Sequence, residues 1–178
     1  MGRIILVYGT IAGLTVAMLM RLVMTLFPEG GNGGMIAGFS SMIVALSFVF
    51  IGVKRYRDIN LGGVIRFWNA LGVGFGIAAI ASLFYVAAWE LYLYFTDYTF
   101  MDEYTRVALE QAQKGGKSAA EVVALGKELA GFKQLYANPL SRMAITFTEI
   151  SPIALLMPVL SATLLRNNRF MPAKIAAA

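Results

Sequence analysis

The chain has 178 residues, of which 58% are hydrophobic and 14% charged, with a net charge of +5 and a mean hydropathy of +0.69. A soluble domain averages about 45–50% apolar and about 25% charged residues, so this composition indicates a membrane protein. There is no cysteine and no histidine, which excludes disulfides and thiolate metal sites and removes the commonest general base and haem ligand.

The first predicted span covers about residues 4–27 and the second about residues 34–53. Each holds the roughly 20 apolar residues that a helix needs to cross a bilayer. We expect no cleavable signal peptide, because the first apolar run is long and no small-residue cleavage pattern follows it. Small residues recur along one face of each span, starting at Gly9 and Gly34. Since such faces let helices approach closely, we expect the two to pack together.

The third predicted span covers about residues 70–95. It follows a basic segment ending at Asp58 and an interfacial segment that contains Arg66 and Trp68, residue types suited to the headgroup level. Glu90 lies near the far end of the span and shares a face with Gly72, 18 residues or about five helical turns earlier. Glu90 is therefore expected to point into the bundle.

Residues 96–140 form the one sizeable polar region, and we predict a helical hairpin there. Ser118 and Glu121 have the spacing of a capping box, which satisfies free amides at a helix start. An apolar stripe follows at alternating spacings of three and four residues: Val122, Leu125, Leu129, Phe132 and Tyr136. Such a stripe usually packs on a neighbouring helix or on the membrane surface, and the alternative is a docking face for a partner.

The fourth predicted span covers about residues 141–165 and contains Pro152 and Pro158. Each proline lacks the amide that would bond four residues back, so the carbonyls of Thr148 and Ala154 lose their partners. We predict a helix kink at these prolines. The alternative is that the freed carbonyls bind a cation or a water beside Glu149.

The distribution of charge predicts the orientation. One set of span ends carries a single acid, Asp58, and eight bases: Arg3, Lys54, Arg55, Arg57, Arg66, Arg166, Arg169 and Lys174. The other side carries six bases and seven acids. By the positive-inside rule the first side is cytoplasmic. Both termini are then cytoplasmic, the hairpin is exterior or periplasmic, and the expected location is a bacterial inner membrane.

Ionisable and hydroxyl side chains lie at a similar depth in the predicted bundle: Arg21, Ser40, Ser41, Glu90 and Glu149. We predict that they form a polar layer in the outer half of the membrane, in which Arg21 pairs with one of the two carboxylates. Alternatively, Arg21 extends to the membrane surface. The layer either holds the helices in register or serves a proton or cation pathway.

Catalytic and ligand-binding templates are not matched. The glycines at 72, 74 and 76 lie inside an apolar span, which makes them a packing surface and not a nucleotide loop. We expect no cofactor, no metal site and no enzyme activity. Anionic lipid and topology account for the basic clusters, so we expect a lipid bilayer and no nucleic acid as partner.

Several short motifs recur in order along nearly the whole chain: Tyr8-Gly-x-x-Ala-Gly13, Ile51-Gly-x-Lys-x-Tyr-Arg-Asp58, Phe100-Met-Asp-x-Tyr104, Asn138-Pro-x-x-Arg142, and Thr146-Phe-x-Glu149-Ile with Pro152. In these the sequence resembles the bacterial membrane family catalogued as domain of unknown function number 4199. It departs from that pattern in the segment from Val64 to Ala70. The resemblance implies four spans and an exterior insert. It implies no established activity and no catalytic residues.

The sequence therefore predicts an all-α, four-helix membrane bundle with an extra-membrane helical hairpin. The leading hypothesis is a non-enzymatic accessory or structural component of an envelope complex, which can also involve self-association. A second hypothesis is a small transporter or channel subunit that uses Arg21, Glu90 and Glu149. A membrane enzyme acting on lipid is a third, disfavoured by the lack of histidine and cysteine.

Overall fold

A computed structural model of the chain describes residues 1–28 and 31–173. Glu29 and Gly30 of the first predicted turn lie outside the described residues. So does Lys174, one of the eight bases used to predict the orientation.

The described part of the chain folds into six α-helices, with one π-helical turn at Tyr56–Asn60. The helices are α1 (Gly2–Leu26), α2 (Gly31–Arg55), α3 (Phe67–Phe95), α4 (Phe100–Lys114), α5 (Ala119–Ala137) and α6 (Pro139–Leu165). Four of them, α1, α2, α3 and α6, are long and apolar enough to cross a membrane. Their ends lie within three residues of the predicted boundaries.

Helix α3 packs most extensively against α1 and α6, and both α2 and α3 contact the other three long helices. Helix α3 runs parallel to α1, because Gly9 lies against Ile80 and Gly13 against Phe84. It runs antiparallel to α6, where Gly74 lies against Pro158. The molecule thus has an upper end, as we call the end that carries α4 and α5, and a lower end, where Gly2 and Leu165 lie.

The nearest neighbours of the α1 glycines Gly9 and Gly13 are on α3, although α1 also packs against α2 as expected. A Cβ atom added at Gly13 would lie 2.5 Å from Cγ of Phe84, and one added at Gly9 would lie 2.7 Å from Cβ of Ile80. On α2, Ser41, Ala45 and Gly52 of the seam are buried, and Gly52 lies against Tyr8 and Ile77. Gly38 has open space around it.

The outer surface of the bundle is apolar, as a bilayer requires. Large apolar side chains that are more than half exposed occur on all four long helices, among them Met18 at 74%, Ile36 at 64%, Leu83 at 65% and Leu156 at 52%. Contiguous exposed apolar surface on this scale marks contact with a membrane or a partner. Together with the length of the four helices, it indicates a membrane protein.

Helices α4 and α5 pack against each other at the upper end. Lys133 and Asp102 form an ion pair between them. The predicted capping box is confirmed, because the Ser118 hydroxyl accepts from the Glu121 amide at 3.3 Å and the Glu121 carboxylate accepts from the Ser118 amide at 2.8 Å. The Ser118 hydroxyl also donates to the Glu121 carboxylate at 2.7 Å, and this bond together with that from the Ser118 amide lowers the pKa of Glu121. The exterior location of this helix pair stays a prediction.

Helix α6 is continuous from Pro139 to Leu165 and includes both prolines. Pro158 is buried against Gly74, which leaves room for its ring. The hydroxyls of Thr148 and Ser151 donate to the carbonyls of Ala144 and Phe147, and not to the two carbonyls that the prolines free. The predicted kink at Pro152 and Pro158 stays a prediction, but Pro158 clearly serves helix packing.

Candidate functional site

The most strongly bonded charges near the upper end are Glu90 on α3 and Arg142 on α6. Arg142 donates from Nε to Oε1 of Glu90 at 2.8 Å and from Nη2 to Oε2 at 2.5 Å. Its third nitrogen, Nη1, donates to the carbonyl of Tyr136 at 3.3 Å. The side chain of Arg142 is only 7% exposed and that of Glu90 18%. A bidentate pair of this kind fixes the geometry of both side chains and neutralises both charges.

Aromatic rings from three helices and a loop surround this ion pair. The guanidinium carbon of Arg142 lies 5.0 Å from the centre of the Tyr98 ring and 6.0 Å from that of Tyr136. Trp89 donates its indole N–H to the Tyr136 hydroxyl, and Phe100 packs edge-on against Trp89 at 4.9 Å. Burial raises the pKa of Tyr136 to about 12. We call Trp89, Glu90, Tyr98, Tyr136 and Arg142 the upper cluster.

The start of α6 explains how Arg142 reaches this position. Asn138 caps the helix, since its Oδ1 accepts from the amides of Leu140 at 2.9 Å and Ser141 at 3.2 Å. Pro139 occupies the first helical position, where a missing amide costs nothing. Arg142 is therefore held in the first turn of α6, at the level of Glu90 on the antiparallel helix α3. The motif Asn138-Pro-x-x-Arg142 encodes this arrangement.

Arg21 is not the partner of Glu90, which corrects the expected pairing. Arg21 is exposed on α1, and its guanidinium carbon lies 5.6 Å above the ring of Tyr92. Within residues 1–28 and 31–173 it forms no ion pair. The reason is geometric, because α1 and α6 each pack against α3 and Glu90 bonds to α6. Sequence reasoning missed Arg142 because it was counted only among the exterior bases.

Glu149 lies one layer below the ion pair and has a different partner. The hydroxyl of Tyr85 donates to its Oε2 at 3.1 Å. Tyr85 is 6% exposed, whereas Glu149 is on the exposed flank of α6. Of the two serines in the predicted layer, Ser41 is buried and donates to the carbonyl of Gly38 at 2.7 Å, and Ser40 is exposed. The structure thus divides the predicted layer into separate contacts.

Much of the apolar stripe of α5 faces the interior. Leu129 and Tyr136 are buried, and Val122 and Leu125 are partly buried. Phe132 is 37% exposed and its ring packs against Tyr136 at 5.9 Å. The apolar side chains of α5 that are most exposed lie beside this stripe, at Val123 and Leu135.

A second polar cluster lies at the lower end, around Arg57. This side chain is fully buried. It donates from Nε to Asp58 at 2.7 Å and from its two terminal nitrogens to the carbonyls of Phe170 at 3.0 Å and Met171 at 2.5 Å. Asp58 also accepts from Lys54 at 2.5 Å. We call Lys54, Arg57 and Asp58, with the carbonyls of residues 165, 170 and 171, the lower cluster.

The lower cluster supplies hydrogen-bond donors to carbonyls at and beyond the end of α6. The last carbonyls of a helix lack amide partners, and a buried end needs donors from elsewhere. Arg57 reaches the carbonyl of Leu165 at 3.5 Å, as well as the two carbonyls beyond it. Sequence reasoning treated Arg57 only as a topology signal. Its position next to Asp58, in the motif Ile51-Gly-x-Lys-x-Tyr-Arg-Asp58, was the signal that could have set it apart.

Both clusters tie α6 to earlier parts of the chain. The upper cluster connects it to α3, α4 and α5, and the lower cluster connects it to the end of α2. Among the described residues, no group of three or more acidic side chains is placed to hold a metal ion. The chemistry that these contacts provide is mutual neutralisation and hydrogen bonding between helices.

Comparison with known proteins places the chain in a family. Searches among curated proteins and among solved structures found no match. A family model described as "Protein of unknown function (DUF4199)" matches residues 7–167, which is most of the chain and includes both clusters except the last carbonyls of the lower one. The chain therefore belongs to the DUF4199 family.

Proposed function

We propose that this chain is a non-enzymatic accessory or structural component of a membrane complex in the bacterial inner membrane. In this proposal both termini are cytoplasmic and the α4–α5 pair lies outside the membrane. The observation that carries it is the closed upper cluster. Its arginine and glutamate are bonded to each other and enclosed by aromatic rings, so they hold helices together and leave no charge free for catalysis.

The upper cluster also holds the α4–α5 pair in place on the bundle. Phe100 at the start of α4 packs on Trp89, and Tyr136 at the end of α5 bonds to it. Both ends of the pair are thereby held to α3. An anchored pair of helices presents a preformed surface, and preformed surfaces bind with a lower entropic cost. The exposed apolar residues Val123 and Leu135 are the residues we expect to contact another subunit.

The docking surface can be tested by substituting only exposed residues. Val123→Ser with Leu135→Ser removes apolar contact area without opening the core, whereas Leu129 is buried and would report folding instead. The measurement is in-cell cross-linking and co-purification of membrane partners, with quantification against wild type. Loss of specific partners in the double variant supports the proposal. Unchanged partners would overturn it.

A matched control keeps the result specific. Ala120 and Ala124 are also exposed on α5 but have little apolar area. Replacing them by serine changes the same number of positions on the same helix. The control should keep its partners, and loss of partners in both variants would show a general defect of the helix.

A second candidate function is a small transporter or channel subunit, and Glu149 is the observation that favours it. Its described partner is a tyrosine hydroxyl and not an arginine, so its charge is not neutralised within the described structure. An ionisable side chain within a span is by default a functional candidate. Exchange of a proton at this carboxyl would be the elementary step.

Glu149→Gln tests this candidate because glutamine keeps the size and the hydrogen bond from Tyr85. The protein is reconstituted in liposomes, and proton or cation flux is measured together with assembly. Lost flux with retained assembly supports transport. Flux that is absent in the wild type, or equal in both proteins, would remove this candidate.

A further inference from the structure

Arg21 is a charged side chain on a surface that is otherwise apolar. It lies five residues before the end of α1 at Leu26, so its Cα is about 7.5 Å below the helix end. Its neighbours on the exposed face include Met18 and Leu22, which are 74% and 50% exposed. An arginine at this depth reaches the headgroup level by extending its side chain along the helix.

A groove between α1 and α3 runs past this arginine. The groove has a volume of about 690 Å³ and is lined by Met18, Arg21, Leu91, Tyr92, Phe95 and Thr96, together with small and apolar side chains. Its small lining residues Ala17 and Ala88 leave the depression open on the outer surface. The groove therefore combines an apolar channel with a single positive charge.

The guanidinium group is oriented but retains its hydrogen-bonding capacity. Its carbon lies 5.6 Å from the centre of the Tyr92 ring, which holds the side chain against α3 by a cation–π contact. In residues 1–28 and 31–173 no carboxylate is paired with it. A guanidinium has five N–H donors in a planar fork that matches a phosphate.

We propose that Arg21 and Tyr92 form the headgroup end of a binding site for an anionic phospholipid, whose phosphate bonds to the guanidinium and whose acyl chain lies in the groove between α1 and α3. The proposal rests on the helices spanning a bilayer, and it goes beyond the proposed role in a complex. The occupant follows from charge complementarity, because a phosphodiester supplies the negative charge and a chain of methylenes fills the apolar channel. The lipid belongs to the leaflet at the upper end.

The two tryptophans of the chain allow a direct test. Trp89 stacks on Tyr92, with ring centres 5.3 Å apart, so its fluorescence reports on this groove. Trp68 lies at the other end of α3 and is 76% exposed. In Trp68→Phe only Trp89 remains. This variant is reconstituted in vesicles of phosphatidylcholine that contain phosphatidylglycerol with brominated acyl chains, and quenching is compared with that by brominated phosphatidylcholine.

The expected result is a preference for the anionic lipid at Trp89 of about fivefold, as one basic residue near an anionic lipid provides. Arg21→Gln in the same background should bring this preference to unity, and Arg21→Lys should keep part of it. Arg106→Gln is the matched control, because it removes an arginine at the same end that is already paired with Glu103 and Glu110. The control should keep the full preference.

Four outcomes would overturn the proposal. They are equal quenching by the two lipids in Trp68→Phe itself, a preference that survives in Arg21→Gln, an equal loss in Arg106→Gln, and quenching of Trp89 by neither lipid. The first of these outcomes needs no charge-changing variant, so the test remains valid if Arg21→Gln fails to fold.

Discussion

The two polar clusters stabilise the bundle by different kinds of contact. The upper cluster joins side chain to side chain, because Arg142 and Glu90 neutralise each other across α3 and α6. The lower cluster joins side chain to backbone, because three of the four acceptors of Arg57 are carbonyls at or beyond the end of α6. A side-chain pair depends on two residue identities. A backbone contact depends on one residue and on where the partner helix ends.

This difference predicts that substituting Arg57 lowers the free energy of unfolding more than substituting Arg142 does. Arg57→Met leaves Asp58 with Lys54 as its one remaining basic partner and leaves the carbonyls of Phe170 and Met171 without their guanidinium donors. Removing one partner of a buried charge pair costs about 3–5 kcal/mol, and we expect the upper part of that range. The measurement is the free energy of unfolding in mixed micelles, followed by circular dichroism. Arg55→Met is the control, since Arg55 is exposed.

Arg142→Met should destabilise by a smaller amount, about 3 kcal/mol, because Glu90 remains partly accessible to water or lipid headgroups. The same micelle unfolding measurement applies. Here the side-chain pair makes a further test possible. Replacing both partners, with Glu90→Leu and Arg142→Met, should recover much of the lost stability, since no unpaired charge remains.

That recovery is the sharpest way to separate the two clusters. For Arg57 no second substitution removes the backbone carbonyls, so Arg57→Met with Asp58→Leu should stay strongly destabilised. Equal recovery in both double variants would contradict the distinction between side-chain and backbone contacts. Failure of the Glu90 and Arg142 double variant to recover would show that the upper pair has a role beyond neutralisation.

Trp89→Phe should lower the free energy of unfolding by about 1 kcal/mol, which is less than either arginine substitution. The loss should be confined to the upper cluster. The substitution keeps most of the aromatic packing but removes the donor to the Tyr136 hydroxyl. We expect hydrogen exchange to speed up at the end of α5 while the amides near Arg57 keep their protection. Faster exchange at both ends would mean that the two clusters act as one unit.

The smallest effect is a pH dependence at the start of α5. Hydrogen bonds from Ser118 to the Glu121 carboxylate hold the pKa of Glu121 below its ordinary value of 4.5. The folded state therefore binds this proton less tightly than the unfolded state does. The resulting stabilisation is present above pH 4.5 and is lost as the pH falls through the lowered value. The difference in melting temperature between wild type and Glu121→Ala should therefore shrink as the pH is lowered from 7 to 3. A difference that stays constant with pH would contradict this origin.

The helices were accessible from sequence because local patterns encode them. Apolar runs predicted the four long helices, and the spacing of Ser118 and Glu121 predicted the start of α5. The α4–α5 pair and its apolar stripe also followed from periodicity, although only the structure shows that Leu129 and Tyr136 are inside. These features depend on residues within one or two helical turns.

The partners of the charges were not accessible in the same way. Arg21 was expected to pair with Glu90 or Glu149, but the choice between Arg21 and Arg142 as the partner of Glu90 depends on which face of α3 each helix packs against. That arrangement is set by contacts such as those of Gly13 with Phe84 and Gly74 with Pro158, which no local pattern specifies. Arg57 was missed for a related reason, since its acceptors are 108 to 114 residues away in the chain.

The late position of α6 has a consequence for how the protein is made. Glu90 is synthesised 52 residues before Arg142, and Arg57 is synthesised 108 residues before Leu165. At about 5–20 residues per second, both side chains wait for seconds without their partners. During that time the carboxylate of Glu90 lacks Arg142, and the guanidinium of Arg57 has Asp58 but not its later carbonyl acceptors. We therefore expect the first three long helices to remain beside the insertion machinery until α6 arrives and releases the finished bundle into the bilayer.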